Sequence, residues 1–117
     1  MPYVEETEKG KLYINENVIA RIAGGSAMEV FGVVGMASQQ FLKDGFAELL
    51  GRENLTKGID VHIVDQEVNL NLYIIVSYGT KISEVAHNVQ ERIRYALQEI
   101  AGISVNKVNI IVQGVRV

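Results

Sequence analysis

The chain of 117 residues contains no cysteine, so disulfides, thiolate metal ligands and cysteine nucleophiles are excluded. Long apolar runs are also missing, because the longest covers only residues 72–76. A membrane-spanning helix needs roughly 20 apolar residues. The N-terminus lacks the charged-then-apolar order of a signal peptide. We therefore expect no direct membrane insertion, and attachment to a membrane would need another molecule.

Charge of one sign is not concentrated anywhere in the chain. Fourteen acidic and 11 basic residues give a net charge of −3, and they are spread fairly evenly. A surface that follows a nucleic-acid backbone needs clustered lysine and arginine. The sequence therefore argues against nucleic acid as a partner.

The length fits one domain with a core of its own. Residues 1–9 are polar and acidic, and we expect them to form a mobile tail. Residues 10–117 then form the single domain.

Two kinds of hydrophobic period predict an α+β fold. Period-two alternation in residues 59–65 and 67–78, across a short polar connection, predicts an antiparallel hairpin. Helical spacing in residues 16–30 and 82–101 predicts two helices. The alternating segment 105–115 follows the second helix, and a right-handed crossover makes it parallel to the second hairpin strand. The expected architecture is a small mixed sheet with both main helices on one face.

The first helix is expected to begin at the N-cap Asn15, after a short strand at residues 11–14. Gly24 and Gly25 lie within this helix. A phosphate-binding turn needs its glycines between a strand and a helix. We therefore interpret both glycines as small residues that let the helix approach the sheet.

The second helix separates apolar from polar residues. Its predicted buried arc consists of Ile82, Val85, Ala86, Val89, Ile93, Ala96, Leu97 and Ile100. The opposite face carries Glu84, His87, Glu91, Arg94 and Gln98. Glu84 and His87 form a Glu-x-x-His step, but a di-iron bundle needs two such steps and two further glutamates. We interpret this face as solvated, with Thr80 as N-cap and Gly102 as C-terminal stop. The alternative is a metal or catalytic site on His62, His87 and nearby carboxylates.

Two groups of residues are candidates for an interaction surface. Gln90 and Arg92 flank the apolar arc, so their polar ends reach either the backbone of the fold or a partner. On the sheet face away from the helices, alternation places four apolar residues that should cluster: Val64, Tyr73, Ile75 and Ile111. A mixed apolar and amide patch is typical of a partner or self-association surface, whereas scattered exposed apolar residues need no function.

Two longer motifs resemble a known family. The first, residues 10–36, reads "GKLYINENVIARIAGGSAMEVFGVVGM". The second, residues 68–115, reads "VNLNLYIIVSYGTKISEVAHNVQERIRYALQEIAGISVNKVNIIVQGV". In order and spacing they resemble the alkaline-shock, general-stress family of small envelope-stress proteins of Gram-positive bacteria.

The resemblance implies a non-enzymatic cytoplasmic protein linked to the cell-envelope stress response. Some members are held at the membrane by a separate membrane-anchored partner and self-assemble. The family defines no catalytic residues, and we expect no cofactor. The chain ends soon after its last predicted strand, without the charged extensions of larger members, so we do not transfer their polymer-like assembly or stress induction to it. From the apolar patch, the missing membrane span and the resemblance, we expect a structural or adaptor protein, peripheral to the membrane through a partner. The alternative is an RNA-associated module that presents Tyr73 to single strands.

Overall fold

The computed structural model describes residues 2–38 and 52–117. The elements in chain order are β1 (Tyr3–Thr7), β2 (Gly10–Ile14), α1 (Glu16–Met28), β3 (Val33–Met36), a 3-10 helix (Arg52–Gly58), β4 (Ile59–Val64), β5 (Glu67–Ser77), α2 (Ile82–Ala101) and β6 (Val105–Arg116). The expected α+β class is confirmed.

β5 is the central strand of the main sheet. β6 pairs with it in parallel from Val68 to Ser77, as the crossover through α2 requires. β4 and β3 share the other side of β5, and both are antiparallel to it. Among the described residues, the sheet is therefore three strands wide, with β6 along one edge.

The hairpin between β4 and β5 closes through a two-residue turn. Val64 is in register with Glu67, and the two residues between them, Asp65 and Gln66, have φ values of 51° and 65°. Positive φ at both central residues is the type I′ geometry, which matches the twist of the flanking strands. The predicted antiparallel hairpin is confirmed.

The helix ends agree with the sequence at two of the three expected positions. The Asn15 side chain accepts a hydrogen bond from the Asn17 amide at 2.8 Å and caps α1. Gly102 closes α2 at φ 68°, and the Ile103 amide donates to the Leu97 carbonyl at 3.1 Å. The predicted Thr80 cap is wrong, since its hydroxyl instead donates to the Ser77 carbonyl at 2.7 Å.

The core lies between the sheet and the two helices. From α2 it takes the central residues Val85, Val89, Ile93 and Leu97. The predicted arc is too long, because Ile82 is 45% and Ile100 is 70% exposed. These two residues lie in the first and last turns of α2, outside the buried stretch.

Gly24 and Gly25 differ in their surroundings. A Cβ at Gly24 would lie 3.2 Å from Ile59 Cδ1 and 3.3 Å from Leu55 Cβ, whereas a Cβ at Gly25 would meet nothing within 4 Å. The small-residue interpretation therefore holds for Gly24, which lets α1 approach β4. Gly25 has no such contact.

The N-terminal segment differs from the expected mobile tail. β1 pairs antiparallel with β2, from Tyr3 opposite Ile14 to Thr7 opposite Gly10. The Val4 amide also donates to Gln66 Oε1 at 3.0 Å, which ties the hairpin to the β4–β5 turn. Polar composition suggested a tail, but only the Tyr3 and Ile14 end of this ribbon packs against the core. Most of the rest is exposed and tolerates acidic side chains. Among the described residues, no helix is both long and apolar enough to cross a membrane.

Candidate interaction surface

The sheet face away from the helices contains a small apolar cluster. Tyr73 and Ile75 are only 9% and 1% exposed, and they pack with Ala37 and the half-buried Ile111. Val64 lies apart at the end of β4 and is 63% exposed. Three of the four predicted apolar residues thus lie together, but within the fold, and only Val64 offers a large free surface.

Tyr73 is held in this cluster by a polar contact. Its hydroxyl donates to Asp60 Oδ2 at 3.2 Å. Burial raises the pKa of Tyr73 above its ordinary value, and the charge of Asp60 and this hydrogen bond raise it further. A base could stack on the Tyr73 ring only after the ring had been uncovered.

The other half of this face is made of amides. Asn106 donates to Asn69 at 3.0 Å, and Asn109 donates to Asn71 at 2.8 Å, so two amide pairs cross from β6 to β5. The face therefore has an apolar half around Ile75 and a polar half around Asn71.

Gln90 and Arg92 both make contacts within the chain. Gln90 Nε2 donates to the Val108 carbonyl at 3.0 Å. Arg92 Nη1 donates to Glu29 Oε2 at 2.8 Å and links α2 to the end of α1. Of the two alternatives that the sequence left open for these residues, the structure shows the contact within the fold.

Arg94 has a role that its position on the polar face did not suggest. Its Nη1 and Nη2 donate to the carbonyls of Val105 and Asn106, each at 2.9 Å. Gln90 and Arg94 are four residues apart and so lie on the same side of the helix. This spacing was the signal in the sequence that both side chains could reach the same strand.

The residues of the alternative metal site do not converge. Glu84, His87 and Glu91 are exposed on the outer side of α2, and His62 is exposed on β4. Across residues 2–38 and 52–117, no three histidine, aspartate or glutamate side chains are grouped so as to hold a metal ion.

Sequence reasoning missed a second exposed surface, between the α1–β3 turn and the start of α2. Phe31 is 89% and Tyr78 is 71% exposed, and both line a cavity of about 350 Å³ together with Lys81, Glu84 and Asn88. We call these five residues the Phe31–Tyr78 surface. The signal for this surface in the sequence was an aromatic residue directly before a glycine that forms a turn, in "FG" and in "YG".

The neighbouring Gly32 fixes the position of Phe31. Gly32 has φ 98°, and a Cβ at this position would lie only 2.7 Å from Val85 Cγ2. The turn therefore packs tightly on α2, while the Phe31 ring remains in solvent.

Comparison with known protein families matches residues 4–117 to the alkaline shock protein 23 family, which is described as having a cell envelope-related function. The chain belongs to this alkaline shock protein family. The resemblance seen in the two sequence motifs is thereby confirmed, and the matched range includes all of β1 except Tyr3.

This member of the alkaline shock protein family has similar relatives in two Gram-positive bacteria. It is 50% identical over 111 residues to the uncharacterized protein YloU of Bacillus subtilis, covering 95% of this chain and 92% of the relative. It is 44% identical over 111 residues to the uncharacterized protein Spy1614 of Streptococcus pyogenes, with the same coverage of 95% and 92%. Neither name includes a catalytic activity.

Among solved structures, the fold of this family member resembles "MamM-CTD H285A". The TM-score is 0.52 at 13% sequence identity, covering 86% of this chain and 98% of that one. At this identity the likeness shows a shared fold alone.

Proposed function

We propose that this alkaline shock family member is a non-enzymatic structural or adaptor protein of the envelope stress response. It acts by self-association or by binding a membrane-anchored protein. In this proposal the chain is cytoplasmic and reaches the membrane only through that partner. The family's cell envelope-related function supports the cellular role, and the Phe31–Tyr78 surface supports the mode of action.

The observation that carries the proposal is the exposure of two aromatic side chains around one cavity. Phe31 and Tyr78 are 89% and 71% exposed, although large apolar side chains are more stable out of water. Burying such a side chain is worth about 1.5–3 kcal/mol. Aromatic residues are enriched at the centres of protein interfaces.

The polar residues beside these rings complete the anatomy of a binding surface. The charged ends of Lys81 and Glu84 lie 3.9 Å apart at the start of α2, and Asn88 follows one turn later. An interface has an apolar centre, which gives affinity, and a polar rim, which gives orientation. The Phe31–Tyr78 surface has both parts within one cavity.

Site-specific photo-cross-linking in a Gram-positive host tests this proposal. A photoreactive phenylalanine analogue replaces Phe31, Tyr78 or, as the control, Tyr95. Tyr95 is 66% exposed on α2, outside the cavity. We expect positions 31 and 78 to capture the same membrane protein and position 95 not to capture it. Equal capture at all three positions, or none at 31 and 78, would count against binding through this surface.

A further inference from the structure

β6 is the longest strand that the structure describes, and one of its sides is free. It runs from Val105 to Arg116 and pairs with β5 on one side. In the part of the chain that the structure describes, no strand pairs with its other side. A free sheet edge presents N–H and C=O groups on which another strand can form hydrogen bonds.

Two backbone hydrogen bonds of β5 show which of its residues turn away from β6. The Tyr73 carbonyl accepts from the Ala37 amide at 2.9 Å, and the Ser77 amide donates to the Gly32 carbonyl at 2.8 Å. Tyr73 and Ser77 thus turn their backbone groups towards the β3 side. Backbone direction alternates from one residue to the next along a strand. The even-numbered residues of β5, such as Ile74, therefore turn their backbone groups towards β6.

The register then assigns the direction of each β6 residue. In a parallel pair, only one residue of each opposed pair turns its backbone groups towards the other strand. The β6 residues opposite the positions of β5 that face β3 and β4 therefore turn towards β5; they are Asn109, Ile111, Gly114 and Arg116. The outward-facing residues are Val108, Ile110, Val112 and Val115. The Val108 carbonyl is indeed reached from the outside by Gln90.

Side chains of α2 close only one half of this edge. Arg94 donates to the carbonyls of Val105 and Asn106, and Gln90 donates to that of Val108. Four helix residues advance about 6 Å and two strand residues about 6.6 Å, so one helix step matches one outward position. The next step along α2 is Ala86, whose methyl group has no donor. We call residues 105–108 the capped half and residues 110–115 the open half.

We propose that the open half of β6 pairs antiparallel with the open half of a second copy of this chain, across a two-fold axis. This inference rests on the proposed self-association and names its surface. The two sheets would join into one continuous sheet, with both α2 helices on the same side.

A β-bulge in β6 makes the open half complementary to itself. The register shifts between Ile74 and Ile75, where Gln113 is the additional β6 residue. As a result, Ile110 and Val115 both face the helices, although they are an odd number of residues apart. An antiparallel pair needs its two residues on the same face. The bulge therefore allows Ile110 to lie opposite Val115 of the second copy, with both backbones turned outward for hydrogen bonding.

The same alignment satisfies the neighbouring pairs. Ile111 lies opposite Gly114 of the second copy, and Asn109 lies opposite Arg116, with each pair on the face away from the helices. No acidic residue occurs in β6, so a register that opposed its basic residues directly would be unfavourable. In the proposed register Arg116 instead lies opposite an amide side chain.

Pairing would also cover apolar surface beside the line where the two β6 strands meet. Val115 is 47% exposed, while Ile110 and Val112 are half-buried at the margin of the core. On α2, Ala86 and Ser83 lie one and two turns before Gln90 on the same side of the helix, and both have small side chains. Both the hydrogen bonding and the side chains therefore favour a second copy at this edge.

The test is the molar mass of the purified full chain, measured by light scattering across a concentration series. Ala86→Gln extends the capping pattern to the open half, and Val115→Lys places a charge on it. Glu91→Gln is the matched control on the outer side of α2. We expect a dimer of the 12.9 kDa chain for the wild type and the control. Both edge variants should raise the dissociation constant by about tenfold or more.

Hydrogen exchange provides a second readout that needs no variant. The amides of Ile110 and Val112 should become protected as the protein concentration rises, because they form bonds only in the dimer. Suppose that the wild type is a dimer, that neither edge variant weakens it, and that the amides of Ile110 and Val112 stay unprotected. This result would overturn the inference while leaving self-association intact. A wild-type chain that stays monomeric would overturn both, whereas cross-linking at positions 31 and 78 would still test partner binding.

Discussion

Gly32 shows how a single residue positions the candidate surface. Its φ of 98° is one that side-chain-bearing residues rarely adopt, and a Cβ would meet Val85 Cγ2 at 2.7 Å. The turn can therefore bring Phe31 beside α2 only with glycine at position 32. The pattern "FG" predicts a turn, but the closeness of Val85 is a tertiary contact that the sequence does not reveal.

Gly32→Ala should destabilise the fold by about 2 kcal/mol or more, because backbone strain and the clash with Val85 act together. Gly25→Ala is the matched control, since a Cβ there meets nothing within 4 Å. In a helix interior this control should stabilise by about 0.5–1 kcal/mol. Urea denaturation measures both changes. Similar effects of the two substitutions would contradict the structure of this turn.

Tyr73 gives the fold a dependence on alkaline pH. Its folded-state pKa is raised by burial, and further by Asp60, so the native protein holds the phenolic proton more tightly than the unfolded chain. The stabilisation is complete below the unfolded pKa of about 10. It is lost as the pH rises through the folded pKa, since the unfolded chain ionises first.

Urea midpoints measured from pH 8 upwards test this effect. The wild-type midpoint should fall more steeply above pH 10 than that of Tyr73→Phe, which has no phenolic proton at this site. Tyr95→Phe, at an exposed position, should follow the wild type. Parallel curves for the wild type and Tyr73→Phe would show that Tyr73 does not carry the dependence.

At the scale of elements, local signals predicted most of the fold. The cap at Asn15, the stop at Gly102 and the β4–β5 turn each depend on neighbouring residues, and each is present. β1 was missed because its strand structure depends on pairing with β2, which the composition of residues 1–9 does not show.

The surfaces of the elements were harder to predict than the elements. Alternation placed Ile75 on the correct face of β5, but it could not show that this residue is only 1% exposed. Likewise, helical spacing put Arg94 on a polar face, whereas its bonds to β6 depend on the path of a distant strand. The side on which a residue lies is a local property, whereas the neighbours that cover it come from elsewhere in the chain.

Asn15→Ala tests the start of α1. The substitution removes the side-chain acceptor for the Asn17 amide and should cost about 1 kcal/mol. Asn17→Ala is a suitable control, because it keeps that backbone amide and the cap that accepts from it. Thermal unfolding of both variants gives the comparison. A control as unstable as Asn15→Ala would argue against the cap.

At the scale of the whole molecule, the two proposed surfaces adjoin. The Tyr78 amide donates to the Arg116 carbonyl at 2.7 Å, so the Phe31–Tyr78 surface lies beside the end of β6. In the proposed dimer, the length of strand from Asn109 to Arg116 would separate two such surfaces by roughly 20 Å. A dimer could then engage two partner molecules at once, which raises the effective affinity for a membrane that displays them.

The central claim is that a membrane protein, contacted through Phe31 and Tyr78, holds the chain at the envelope. Sedimentation of the purified chain with Gram-positive membranes tests it most directly. We expect saturable binding that is lost when the membranes are pretreated with protease, and lost for the folded variant with Phe31→Ser and Tyr78→Ser. Undiminished binding to protease-treated membranes, or by that variant, would contradict the claim.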